Sequence, residues 1–166
     1  MDWNLGYAIA SHSGGLERLG PSQHDMTADR ITREIARDGS VVIGDAQCRF
    51  VFRRLRPEVL EIQLFGIDHG QFGTAALDEL AVALLRDQSL ELYVDASEGS
   101  IPSVSVSRMW ARFFENNRKS LKRVRILANS KPTALTMAII RQLSNTADLL
   151  QIYSDRELYE TRKASS

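Results

Sequence analysis

The spacing of apolar residues along the chain changes from a period of two to a helical period. Apolar and polar side chains alternate over residues 49–55 and again over residues 59–65, with Arg56-Pro57-Glu58 as a turn signal between them. Two alternating runs around such a turn predict an antiparallel β-hairpin. After Thr74, apolar residues recur at the spacing of one helix face, which predicts an amphipathic helix. That face consists of Leu77, Leu80, Ala81, Leu84 and Leu85.

Further short apolar runs alternate with helical patterns to the end of the chain. Strands are predicted at residues 41–43, 90–95, 124–128 and 149–153. Helices are predicted after the capping residue Ser107, at Pro132, and after the capping-box spacing that starts at Ser154. Alternation of this kind requires right-handed crossovers between strands. The sequence therefore predicts an α/β fold with a central mixed, largely parallel β-sheet, an N-terminal antiparallel hairpin and about four helices.

The chain divides into an N-terminal arm, residues 1–40, and an α/β domain, residues 41–166. The early part of the arm carries turn-forming residues without periodicity. Ile31 and Ile35 form one apolar edge, which predicts a short helix after Thr27. The domain is long enough to bury a hydrophobic core without disulfides or metals.

Composition narrows the classes of function. The 166 residues are 43% hydrophobic and 25% charged with a formal net charge of zero, so no overall field attracts nucleic acid or an anionic membrane. No apolar run approaches the roughly 20 residues needed to span a bilayer, and no leader pattern is visible. Cys48 is the single cysteine, which excludes an internal disulfide and favours a small buried apolar side chain. We therefore expect a cytoplasmic protein that neither binds nucleic acid nor inserts into a membrane.

No combination of residues in the sequence points to catalysis, a metal or a cofactor. The three histidines, His12, His24 and His69, lack the spacing of a helical metal site. Asp68-His69 has the composition of an acid–base couple, but a dipeptide beside loop glycines favours simple exposure to solvent. We therefore expect a non-enzymatic protein without catalytic residues, metal ligands or a cofactor.

A serine-rich connector at residues 97–108 is the most unusual segment of the chain. It joins the end of a predicted strand to a predicted helix start, where ligands and partners bind in open α/β sheets. A phosphate on one of its serines would place about −2 charge at a helix N-terminus beside basic residues. The candidate interaction and phosphorylation residues are Ser103, Ser105, Ser107, Arg108 and Arg112. The alternative is an ordinary connecting loop in which Ser107 only caps the helix.

The helix after this connector carries apolar and aromatic residues close together. They are Met109, Trp110, Phe113 and Phe114. One interpretation is that they line an apolar ligand pocket between sheet and helix, and the other is that they fill the core. The basic residues of this segment do not interleave with the aromatic ones, which argues against stacking on nucleic-acid bases.

Four segments follow the order of strands and helix starts in a known domain family. They are Leu60–Gly66 with the helix start at Thr74, Leu92–Ser97, Val124–Asn129 and Ile152–Glu157. With them, residues 49–163 resemble the STAS domain, the fold of bacterial anti-sigma-factor antagonists and of the cytoplasmic tails of sulfate transporters. The family's regulatory loop reads Asp-Ser-Ser/Thr-Gly-Leu, and a partner kinase phosphorylates its middle serine. Here the matching stretch, residues 105–109, lacks the Asp and the Gly, and its best counterpart is Ser107, or Ser105 in a shifted register.

Two functions follow from this resemblance and from the residues. The leading hypothesis is a regulatory module that binds a partner protein through residues 97–108 and the following helix. The alternative is a small-ligand binding protein, because some relatives of the family bind lipids or nucleotides. A homodimer is a further expectation: the strand with Phe50 and Phe52 would pair with a second copy if it lay at a sheet edge, although its arginines would protect such an edge.

Overall fold

The computed structural model describes residues 30–87, 89–100, 102–128 and 146–165 of the chain. These residues form one seven-stranded sheet in which neighbouring strands follow the order of the sequence. Its strands are β1 (Thr32–Ile35), β2 (Val41–Gly44), β3 (Cys48–Arg56), β4 (Val59–Gly66), β5 (Leu90–Gly99), β6 (Leu121–Leu127) and β7 (Leu150–Tyr153). Strands β1 to β4 pair antiparallel, and strands β4 to β7 pair parallel. The predicted mixed sheet and the predicted hairpin of β3 and β4 are thereby confirmed.

Three helices accompany the sheet within the described residues. They are α1 (Ala75–Arg86), α2 (Val104–Asn116) and α3 (Arg156–Ser165), and a single 3-10 turn at Arg118–Ser120 follows α2. The sequence predicts about four helices, and the one predicted at Pro132 lies outside the described residues. The strand–helix alternation from β4 onward agrees with the α/β architecture that the sequence predicts.

One face of the sheet, here called the apolar face, carries the main hydrophobic core. Alternation along β4 sends Leu60, Ile62 and Leu64 to this face, as a strand period of two requires. Helices α1 and α2 pack on it with side chains such as Leu80 and Phe114. Leu85, which the helical spacing places on the buried face of α1, is instead 88% exposed.

The opposite face of the sheet is covered by the C-terminal helix and is here called the α3 face. Its apolar part is small and consists of Val59, Tyr93 and Leu127 around the buried Tyr159 of α3. Asp155 begins this helix, because its carboxylate accepts a hydrogen bond from the Leu158 N–H at 3.1 Å.

The predicted short helix in the N-terminal arm is wrong for the residues that the structure describes. Thr32–Ile35 is a strand that pairs antiparallel with β2. The turn between them is closed by Asp38, whose carboxylate accepts hydrogen bonds from the N–H and the hydroxyl of Ser40, and by Gly39 at a φ of 81°. The segment that the spacing of Ile31 and Ile35 predicts as a helix therefore forms a strand of the sheet. Residues 1–29 of the arm lie outside the described residues.

Two further predictions about strands need correction. Strand β3 does not lie at a sheet edge, because it pairs with β2 on one side and β4 on the other. Phe50 and Phe52 are accordingly buried, and β1, one strand beyond β2, forms this edge of the sheet. Strand β5 does not end at Asp95 but continues to Gly99. Because both sides of β3 are paired within the chain, a second copy cannot pair with it as expected from the sequence. The predicted burial of Cys48 is confirmed.

Candidate functional site

The serine-rich connector ends earlier than the sequence predicts. Ser103, not Ser107, caps α2: its hydroxyl accepts a hydrogen bond from the Val106 N–H at 3.3 Å. Ser107 lies one turn inside the helix, where its N–H donates to the Ser103 carbonyl at 2.9 Å. Serine recurs at alternate positions here, so several residues satisfy the capping pattern equally well.

Helix α2 therefore has two chemically different sides. Ser107, Trp110, Ala111 and Phe114 follow helical spacing and face the sheet, where they line a cavity. The other side is exposed and presents Val104, Ser105, Arg108 and Arg112. Position in the helix thus separates the predicted interaction residues into a buried and an exposed group.

A cavity of about 60 Å³ lies between α2 and the apolar face. Its sheet side is formed by side chains from five neighbouring strands, β3 to β7, which are Phe50, Ile62, Leu64, Val94, Ala96, Ile126 and Leu150. Its helix side is formed by Pro102, Val106, Ser107, Trp110, Ala111 and Phe114. The loop between β4 and α1 contributes Asp68. Asp68 and Ser107 are the polar residues of a wall that is otherwise apolar.

Asp68 lies at the end of the cavity where the loop meets the start of α2. Its backbone carbonyl accepts a hydrogen bond from the Ser103 N–H at 3.4 Å, which ties the loop to the helix cap. Its side chain is buried, and one carboxylate oxygen accepts from the Gly70 N–H at 2.8 Å. Burial raises the pKa of the Asp68 carboxyl above its usual value, and the negative charge of Asp45 adds to that shift.

Ser107 contributes a buried hydroxyl to the same wall. The residue is 5% exposed, and its hydroxyl oxygen has no hydrogen-bond partner in the structure. Buried polar atoms in native proteins nearly always have a partner, which is protein, water or ligand. Ser107 is therefore a buried polar residue in an otherwise apolar wall.

Asp68 and His69 differ in burial, although attraction to His69 offsets part of the rise in the pKa of the Asp68 carboxyl. The Asp68 side chain is buried against the cavity, whereas His69 is exposed to solvent. The His69 N–H donates to the Gln71 side-chain oxygen at 2.7 Å, which supports the loop. The two side chains occupy different environments, and the geometry offers no acid–base couple.

Two of the four predicted pocket residues line the cavity, and the other two do not. Trp110 and Phe114 line the cavity, and Trp110 also stacks on Phe50 with 5.9 Å between ring centroids. Phe113 packs edge-on against Phe114 at 6.3 Å, and Met109 is half-buried; neither lines the cavity. Sequence reasoning missed Asp68 as a wall residue. The rule that sites form beyond the carboxyl ends of strands is the signal that identifies it.

A second polar cluster lies on the α3 face, at the carboxyl end of β5. The Ser97 hydroxyl and the Arg156 guanidinium both contact the Asp95 carboxylate, at 2.5 Å and 3.1 Å. Arg156 also donates to the Ser97 hydroxyl, so the three side chains satisfy one another and hold the start of α3 to the sheet. Among residues 30–87, 89–100, 102–128 and 146–165, no group of three or more His, Cys, Asp or Glu side chains is placed to hold a metal ion. No helix within these ranges has the length and apolar character to cross a membrane.

Comparisons with known proteins place the chain beside other structures of similar fold. No family model matches the chain, and no curated protein matches its sequence. An anti-sigma factor antagonist from Mycobacterium paratuberculosis is similar in structure, with 10% identity and a TM-score of 0.49 over 69% of this chain and 92% of the other. An uncharacterised protein with a SpoIIAA-like fold from Shewanella loihica PV-4 has 14% identity and a TM-score of 0.49 over 69% and 92%. The anti-sigma factor antagonist SpoIIAA in its unphosphorylated form has 17% identity and a TM-score of 0.45 over 69% and 96%.

Proposed function

We propose that this chain is a non-enzymatic STAS-like module that binds a small, largely apolar ligand in the cavity between α2 and the apolar face. The observation that carries the proposal is the apolar cavity with the unpartnered Ser107 hydroxyl in its wall. A protein interior is ordinarily packed as densely as an organic crystal, so a void of this kind leaves apolar contacts unmade.

The size of the cavity bears on what occupies it. A volume of about 60 Å³ has room for water or for a small apolar group. Ordered water in a protein interior requires two to four polar partners, and this wall supplies only Asp68 and Ser107. Most of the volume therefore suits apolar atoms better than water. A ligand longer than a few atoms requires an outward shift of α2.

The test is an NMR titration of the ¹⁵N-labelled protein with toluene, an apolar probe without a polar head. We expect saturable shifts centred on the Trp110 indole N–H and the Ala111 amide. Ala111→Phe fills the void and should abolish these shifts, whereas Glu115→Phe, on the exposed side of the same helix, should leave them unchanged.

Overpacking costs about 1–3 kcal/mol, so the folded state of Ala111→Phe is checked by circular dichroism. If that variant does not fold, Ala96→Val adds a smaller group from the sheet side of the same cavity. Shifts that are weak, non-saturable or unaffected by either filling variant would contradict the proposal.

A second candidate function is protein binding through the exposed side of α2, with Ser105 as a phosphorylation site. Ser105 lies in the first turn of the helix and is exposed, with its hydroxyl 2.9 Å from that of Ser103. A phosphate there would be stabilised by the helix N-terminus and by Arg108, which lies one turn further on. Ser107 does not suit this role, because its hydroxyl is buried in the cavity wall.

The second candidate is tested by affinity capture with four variants of the protein. Ser105→Asp should change the set of retained proteins relative to Ser105→Ala, and Arg108→Glu with Arg112→Glu should weaken retention of the same proteins. The buried substitution Ser107→Ala is the control that should leave retention unaltered. Identical partner sets for all of these variants would count against a docking surface here.

A further inference from the structure

We propose that residues 3–9 of this chain form an eighth strand, which pairs antiparallel with the open edge of β1. Two observations carry the proposal: a sheet edge with exposed apolar side chains, and a segment whose apolar residues recur with the period of a strand. All four residues of β1 are exposed. Within the described residues, β2 pairs with one side of β1 and no strand pairs with the other.

The hydrogen bonds between β1 and β2 show which backbone groups this edge offers. The Ala36 N–H, directly after β1, donates to the Ser40 carbonyl at 2.8 Å, so these two residues form a hydrogen-bonded pair. Hydrogen-bonded pairs alternate along an antiparallel ladder, so the even-numbered residues of β1 direct their N–H and C=O groups toward β2. Arg33 and Ile35 direct theirs outward. A row of such groups at a sheet edge is a template for another strand.

The side chains beside this edge form an apolar surface, here called the edge patch, which consists of Ile31, Ile35 and Val82. Ile35 is 68% exposed, Val82 43% and Ile31 38%. Ile35 lies opposite Val41 in the pairing of β1 with β2, and Val41 and Val82 line one small cavity beside α1. The Arg33 guanidinium also forms an ion pair with a carboxylate of α1 at 2.9 Å. The odd-numbered side of β1 therefore lies beside α1, on the apolar face of the sheet.

The start of the chain has the pattern that this edge requires. Apolar side chains occupy every odd position from 3 to 9, and polar or small ones occupy the positions between. A strand with this alternation has one apolar side, which would cover the edge patch, and one polar or small side. Residues opposite one another in a sheet share a face, so the odd residues of this segment lie opposite the odd residues of β1. Its apolar residues are Trp3, Leu5, Tyr7 and Ile9.

The connection between this segment and β1 favours an antiparallel pairing within one chain. Residues 10–29 include Gly14-Gly15 and Gly20-Pro21, which are turn signals. A chain that turns back without a crossover helix places its strands antiparallel. The pairing is intramolecular, so the connection holds the segment at a high effective concentration, and the entropy cost of closing a loop rises only slowly with its length.

A second copy of the chain fits this edge less well. In an antiparallel pairing with two-fold symmetry, one residue of β1 lies opposite its own copy. When the two β1 strands overlap fully, that residue is Arg33 or Glu34, and like charges directly opposite one another destabilise a sheet. Residues 3–9 carry no charged side chain, so their pairing with β1 brings no such repulsion.

The test is hydrogen–deuterium exchange of the backbone amides, measured by NMR on the full-length protein. If residues 3–9 pair with β1, the amides of Arg33 and Ile35 should exchange at least about tenfold more slowly than in an unpaired chain. Leu5→Pro removes an N–H that points to β1 and should abolish this protection. Asn4→Pro is the matched control, because its N–H points to solvent, where an edge strand tolerates proline.

The amides of Thr32 and Glu34, which face β2, should stay protected in both variants and report that β1 itself persists. Exchange of the Arg33 and Ile35 amides as fast as in an unpaired chain would overturn the proposal. Protection that survives Leu5→Pro would also overturn it, and a rise of that protection with protein concentration would identify a second copy as the occupant of the edge.

Discussion

The two faces of the sheet treat buried polar groups in opposite ways. On the α3 face, several ionisable side chains are buried and form ion pairs with one another or with the residues of α3. On the apolar face, Ser107 is buried without a partner and Asp68 accepts a hydrogen bond from the Gly70 N–H. Most buried ionisable side chains of the α3 face are therefore paired, whereas the cavity on the apolar face is lined by a serine whose hydroxyl has no partner.

The α3 face shows how complete that pairing is. Arg125 forms an ion pair with Glu91 and donates to the Tyr93 hydroxyl at 2.7 Å, and that hydroxyl donates to the Arg162 carbonyl at 2.9 Å. Lys163 binds Glu61 at 2.8 Å. Burial alone would lower the pKa of the Lys163 ammonium, but its hydrogen bonds to Glu160 and Glu61 outweigh burial and raise it.

Tyr159, on the α3 face, also has a buried hydroxyl, but its surroundings differ from those of Ser107. Its buried hydroxyl has no hydrogen-bond partner, and burial raises its pKa. Its ring, however, packs edge-on against Tyr93 at 5.6 Å and Tyr153 at 5.9 Å, and Lys163 lies over it. Ser107 differs because the residue lines a cavity. The surroundings of Tyr159 are filled by packed rings, whereas those of Ser107 include unfilled volume.

The largest expected effect comes from breaking the pairing on the α3 face. Arg125→Met leaves Glu91 buried without its partner and should lower the free energy of unfolding by about 3–5 kcal/mol. Urea denaturation measures this change. Replacing Glu91 and Arg125 together by Met should restore most of the loss, because a matched apolar pair has no unpaired charge. If Arg125→Met alone were as stable as the parent protein, the ion pair would not be buried as described.

Replacing Ser103 or Ser107 by alanine should change the free energy of unfolding in opposite directions. Ser103→Ala removes the helix cap and should cost about 1 kcal/mol. Ser107→Ala removes an unpartnered hydroxyl from an apolar wall and should stabilise the protein by about 1 kcal/mol. Thermal unfolding of the two variants side by side makes the measurement. Destabilisation by Ser107→Ala would show that its hydroxyl has a partner and would remove the contrast between the two faces.

The smallest expected effect concerns the acidic residue of the cavity. Because burial raises the pKa of Asp68 above its unfolded value of 3.8, ionisation destabilises the folded state above the folded pKa. That penalty disappears as the pH falls through the folded pKa toward the unfolded one. Asp68→Asn should therefore be more stable than the parent at pH 7, with a difference that shrinks toward pH 4. Urea denaturation at several pH values measures it, and a pH-independent difference would contradict burial of the carboxylate.

The comparison also shows which features the sequence can predict. The β3–β4 hairpin was predictable because apolar and polar residues alternate around a turn over residues 49–65. A one-residue shift in the strand pairing would move the apolar side chains of a strand to the opposite face of the sheet. Neither the start of α2 nor the cavity was predictable. Serines at positions 103, 105 and 107 satisfy the capping pattern equally well, and packing decides among them. The cavity joins Phe50, Asp68 and Leu150, which are distant in sequence, so only the tertiary fold brings them together.

The proposed function depends most directly on whether the cavity beneath α2 binds a ligand. A crystal structure of the protein grown with toluene tests it. We expect electron density for the toluene ring in the cavity, against Trp110 and the apolar side chains of the sheet such as Ile62 and Leu64. A void closed by repacked side chains, or one holding only water, would contradict the proposal.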